Sequence, residues 1–144
     1  MLAATVLAIG LLALAGMQGM SLGRNVDANE LTLATNLAAD MVERIQFNRR
    51  NAAVYNNIDT LVGTTQPTTD PMAIGDYTQW QARLAASRLS GVQGRVSVVP
   101  TGPTSPSLNQ NLVNVQVIWQ GSINSDTSAR RTRTLTLATV IAPE

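Results

Sequence analysis

The sequence contains no cysteine, no histidine and no lysine. Without cysteine there are no disulfides, no thiol nucleophiles and no thiolate metal sites. The loss of all three residue types removes the commonest catalytic bases and nucleophiles, so an enzyme is not expected and no cofactor or metal is called for. A paired-carboxylate site is all that remains, and Asp40 and Glu43 fall among helix-supporting partners instead. Aromatic residues are scarce: Phe47, Tyr55, Tyr77, Trp80 and Trp119. A core built mostly from Val, Leu, Ile and Ala follows. No Gly-rich phosphate loop follows a strand pattern, which leaves nucleotide binding unsupported. The formal charge is only +1, so the overall field favours neither nucleic acid nor an acidic surface.

Charge is also absent from one end. From Met1 to Met20 only Thr5 and Gln18 are plainly polar, and the first charged residue is Arg24. As a helix this run would span roughly 30 Å, the thickness of a bilayer's hydrocarbon core. A signal peptide would need a charged segment ahead of a shorter apolar core. Instead the pattern continues as helix. Residues 24 to 47 contain neither Gly nor Pro, and Ala34, Leu37, Ala38, Met41 and Ile45 recur at the spacing of one helical face. Asp40 and Arg44 stand four apart, where they can pair across a turn. One helix of about fifty residues is expected, with residues 1–23 apolar all round and 24–53 amphipathic. Gly10, Gly16, Gly19 and Gly23 punctuate the apolar part, and Gly19 and Gly23 form a small-xxx-small pair that permits close helix packing.

Residues 54–144 form the remaining unit, long enough for one small head. Asn56 to Asp76 is rich in Thr, Pro, Gly, Asn and Asp and reads as loop. Asp76 is expected to cap a helix over 77–89, with Trp80, Leu84 and Arg88 on one face and Gly91 and Gly94 ending it. Strands are expected at 95–99, 112–120 and 131–141. In the second, Val113, Val115, Val117 and Trp119 alternate with Asn114 and Gln116; in the third, Leu135, Leu137 and Ile141 share a face. An antiparallel sheet with one apolar face needs a cover, and the amphipathic half of the first helix supplies it. The expected fold is α+β, a long helical stalk packed by its far half on a small antiparallel head.

Several features have plain readings. Arg130, Arg131 and Arg133 form the densest basic cluster, read as a solvated turn guarding a strand edge, with contact to an anionic surface as the alternative. Arg49 and Arg50 suit the end of a helix dipole. Asn56, Asn57, Asp59, Asp70 and Asp76 are too scattered for a calcium loop and read as turn residues.

The apolar run from Met1 to Gln18 resembles the N-terminal helix of type IV pilins. Its continuation, Leu37-Ala-Ala-Asp-Met-Val-Glu-Arg-Ile-Gln-Phe-Asn-Arg49, is similar to minor pilins of the pilus-modification type. Val115-Gln-Val-Ile-Trp119 and Leu135-Thr-Leu-Ala-Thr are similar more loosely. The resemblance implies a subunit held in the bacterial inner membrane with its head in the periplasm, then drawn into a cell-surface pilus. It implies a part in pilus assembly and priming at or near the tip, in motility and adhesion. Its partners would be other minor pilins, the major pilin, the inner-membrane assembly machinery, and the lipid bilayer before assembly; nucleic acid is not expected. Leu7, Gly10, Leu11, Leu14, Gly16, Gly19 and Gly23 would then pack in the filament core, with loosening expected at Gly10, Gly16 and Gly19. Family members carry a basic leader ending in Gly and a Phe-Thr-Leu-Ile-Glu-Val segment ahead of the apolar run. Neither stands in this sequence, which is expected to start just inside the processed N-terminus, so no position is assigned as the methylated residue or the assembly glutamate. The alternatives are a type II secretion pseudopilin and, in a different class, a single-pass inner-membrane protein with a periplasmic binding domain.

Overall fold

The computed structural model describes the backbone of residues 2–101, 110–121 and 130–142, and within those ranges the side chains from residue 25 onward. The protein is α+β, with a four-stranded antiparallel sheet and helices on one face of it. Helix α1 is Leu2–Phe47, followed by a short 3-10 segment at Arg49–Tyr55. Strand β1 (Ile58–Asp59), helix α2 (Pro71–Ala86) and strands β2 (Ser90–Pro100), β3 (Asn111–Gln120) and β4 (Thr132–Ile141) complete the order. The strands lie in the spatial order β1-β2-β3-β4, each antiparallel to its neighbour.

Alternation sorts the sheet into two faces. Val96 and Val98 of β2, Val113, Val115, Val117 and Trp119 of β3, and Ile141 of β4 are buried. They meet Ala34, Leu37, Ala38, Met41 and Ile45 of α1, and Ala73, Tyr77, Trp80 and Leu84 of α2. Helix α1 crosses β3 and β4, while α2 lies against α1 and β2. Two alanines among the α1 contacts, Ala34 and Ala38, let the helix approach the sheet closely.

The second helix differs from the sequence expectation over 77–89. It starts six residues earlier, at Pro71, and Asp76 lies inside it. Asp70 is the cap: its carboxylate accepts from the Ala73 amide at 2.8 Å, and Pro71 occupies the first turn, where its missing N–H costs nothing. The helix ends before the two glycines expected to stop it, through Ser87 and a left-handed Arg88 at φ 63°. Both glycines belong to β2, which is therefore longer than the expected 95–99. Gly91 sits at φ +59° beside a register irregularity between Ser90 and Gln93. Gly94 leaves room for Trp80, whose ring lies directly over it. The expected loop over 56–76 also holds the two-residue strand β1, and the first helix gives way to the 3-10 segment at Arg49 instead of running on to residue 53.

Candidate functional site at the helix-to-head junction

Both tryptophans are buried, and each indole N–H must find a partner there. Both find it on α1. Trp80 Nε1 donates to the Leu37 carbonyl at 2.8 Å, and Trp119 Nε1 donates to Glu30 Oε2 at 3.1 Å. Arg133, opposite Trp119 in the β3–β4 register, places Nη2 3.0 Å from Asp27 Oδ2. Asp27 and Glu30 are three apart and so share a helix face. The result is a polar clamp from the sheet onto α1, one to two turns ahead of the apolar contacts that begin at Ala34.

Nearer its end, α1 is tied to α2 and the 3-10 segment by a connected set of charges and amides. Asp40 accepts from Arg44 Nε at 3.2 Å and from Arg83 Nη1 at 2.9 Å. Arg44 Nη1 also donates to Asp76 Oδ1 and to Gln79 Oε1, both at 3.0 Å. The Tyr55 hydroxyl donates to Asp76 Oδ2 at 2.6 Å and accepts from Asn48 Nδ2 at 3.1 Å. Asn48 Nδ2 and Asn51 Nδ2 also reach the two oxygens of Asp70, at 3.0 and 3.1 Å. Burial pushes the Tyr55 phenol well up from its ordinary value, and the bond to Asp76 pushes it further. Burial alone would lower the Arg44 guanidinium; its bonds to Asp40 and Asp76 outweigh that and raise it. Tyr55 thus remains a donor, and Arg44 a fixed cation between two carboxylates. Chemically the set holds two helices in register. Among the described residues, no group of three acidic side chains is placed to hold a metal.

The five α1 residues chosen from periodicity, Ala34, Leu37, Ala38, Met41 and Ile45, are all brought together in the core. Leu7, Gly10, Leu11, Leu14, Gly16, Gly19 and Gly23 lie within α1, and their side chains fall outside the described residues. The arginine cluster is divided: Arg133 turns inward to Asp27, Arg130 bonds the Ser90 hydroxyl, and Arg131 is exposed. The turn residues are spread among separate duties. Asn56 accepts from the Val98 amide at 2.9 Å, Asp70 caps α2, and Asp76 joins Tyr55 to Arg44.

Sequence reasoning missed Asp27, Glu30 and Asp70. The Asp-Pro pair at 70–71 was a readable start signal for α2. Asp27 and Glu30 carry no local signal, because Glu30 and Trp119 are 89 residues apart in the chain. Among the described residues no helix is long and apolar enough to cross a membrane. The apolar run itself lies in the part whose side chains are not described. Comparison with protein-family models, curated proteins and solved structures finds no match to this chain.

Proposed function

We propose that this chain is a structural subunit of a type IV pilus, a minor pilin that takes part in assembling the filament. What carries the reading is the clamp of Trp119, Trp80 and Arg133 onto α1, which joins the head to the same helix that contains the apolar run. A membrane anchor for an independent binding domain needs only a tether. A filament subunit needs force on the helix to move the head with it, and a head held by several buried contacts meets that need. The uncharged run over residues 1–23 suits either lipid or a bundle of like helices, so passage from one to the other need not expose apolar surface to water. The inventory without Cys, His or Lys fits a structural role.

Replacing Leu11 with Arg puts a charge at the middle of that run, costing several kcal/mol in an apolar surround. The expected outcome is loss of surface pili with the head still folded, counted by electron microscopy of cells carrying the variant. Normal piliation in such cells would overturn the reading. Deleting the gene and scoring surface pili alongside secreted enzymes separates a pilus subunit from a secretion pseudopilin.

A further inference from the structure

The face of the sheet turned away from α1 has a polar centre. In register across three strands stand Arg95, Gln116 and Thr136, and beside them Ser97, Asn114 and Ala138. The row beyond, Val99, Leu112 and Val140, is apolar, so the polar centre is a local feature of this face. With the loop after β1 it forms an open cleft of about 510 Å3. Asp59, Arg95, Ser97, Asn114, Gln116 and Thr136 are among its lining residues.

The polar groups divide into committed and uncommitted ones. Asp59 is committed: it accepts from Gln93 Nε2 at 2.6 Å, the Leu61 amide at 3.0 Å and Arg95 Nε at 3.0 Å. Burial would raise its carboxyl, but these bonds and the Arg95 charge hold it below the usual range. The carboxylate therefore anchors Arg95 by one nitrogen, leaving the two terminal nitrogens without a partner among the described residues. The amides of Asn114 and Gln116 and the hydroxyls of Ser97 and Thr136 likewise have no partner there. Each amide offers both donors and an acceptor. Neighbouring strands put these groups about 5 Å apart in one direction, and alternate residues put them about 7 Å apart in the other.

We propose that this cleft binds an acidic sugar, a hexose ring bearing one carboxylate. The Arg95 fork matches a carboxylate, while the paired amides and hydroxyls match ring hydroxyls, which both donate and accept. Among the described residues the cleft is lined by a single cation, Arg95, with Asp59 beside it, which disfavours a dianion such as phosphate. No aromatic side chain among the described residues lines the cleft to stack on a sugar face, so affinity is weak, with a dissociation constant on the order of 1 mM. The inference does not rest on the filament reading, because binding is measured on the isolated chain.

The test is saturation-transfer NMR on the full chain in detergent micelles, titrated with galacturonic acid, a galacturonic acid trimer, galactose and inorganic phosphate. Galacturonate is expected to bind at least tenfold more tightly than galactose. Gln116→Leu and Asn114→Leu, which remove no side-chain hydrogen bond within the described structure, should each weaken it about tenfold; Arg95→Gln should abolish the preference for the acid. Arg131→Gln, on the exposed turn, should change nothing. Tighter binding of the trimer than of the monomer assigns the site to a polymer, and equal binding assigns it to a free sugar acid. Galacturonate binding no tighter than galactose, insensitivity to Gln116→Leu and Asn114→Leu, or displacement by equimolar phosphate would each overturn the proposal.

Discussion

Gly94 shows how one missing atom sets the position of a helix. A Cβ at this position would collide with Trp80 Cη2 and would stand 2.5 Å from Trp80 Cζ3 and 2.7 Å from Leu84 Cδ1. Neither neighbour can withdraw easily, because the Trp80 indole is bonded to the Leu37 carbonyl and Leu84 is buried. Gly94→Ala should therefore destabilise the head by about 1–3 kcal/mol, the range for overpacking a filled core. Denaturant unfolding of the full chain in micelles measures it. Gly75 is the internal control: a Cβ there meets nothing within 4 Å, and Gly75→Ala, in the second turn of α2, should stabilise by roughly 0.5–1 kcal/mol. The same chemistry explains why Gly94 misled the reading of the sequence. A glycine after a helical pattern looks like a stop signal, and nothing local shows that its empty side is filled by a ring fourteen residues back.

At the scale of elements, legibility followed the range of the interaction. Strands β3 and β4 were readable because their burial alternates along the chain itself, as in Val113, Val115 and Val117. The apolar stripe of α1 was readable for the same reason, at helical period. Helix α2 was placed late because Pro71 and Gly75 read as loop, although Asp70 with Pro71 is a capped start. Strand β1 is two residues long and owes its existence to pairing with Arg95 and Val96, so no local pattern announces it. The lock between α1 and α2 was half legible: Asp40 with Arg44 is a four-residue spacing, but Asp76, Tyr55 and Arg83 arrive from elsewhere. That lock has a pH signature. The folded phenol of Tyr55 is raised above the ordinary value near 10, so its stabilisation is complete below pH 10 and is lost as pH climbs past it, where the unfolded tyrosine ionises first. Tyr55→Phe should flatten stability against pH above about 10, and it should lower the plateau near neutrality by about 2 kcal/mol through the lost bond to Asp76. Thermal melts from pH 7 to 11 compare the two chains; an unchanged alkaline slope in the variant would count against the lock.

For the whole molecule, the question is whether pulling on the helix moves the head. Helix α1 spans 46 residues, roughly 70 Å, and its described half is held at two levels. The lower level is apolar and buried, from Ala34 to Ile45, and persists as long as the head is folded. The upper level is polar, Asp27 to Arg133 and Glu30 to Trp119, with the Arg133 and Asp27 side chains 31% and 29% exposed. Because the upper clamp adds little apolar burial, it can be removed without unfolding the core. Asp27→Ala combined with Glu30→Ala should leave the head's melting cooperative and lowered by roughly 4–15 °C, the shift that about 1–3 kcal/mol produces in a head of this size. Amide exchange over residues 25–33 should accelerate about tenfold or more, while residues 34–45 keep their protection. If the proposed filament role holds, surface pili in cells carrying this pair should fall sharply although the subunit still accumulates, since a helix loosened above Ala34 transmits force and orientation to the head less faithfully. Faster exchange with undiminished piliation would separate the two ideas: the clamp would stand as a structural fact, and rigidity between rod and head would cease to be a requirement of assembly.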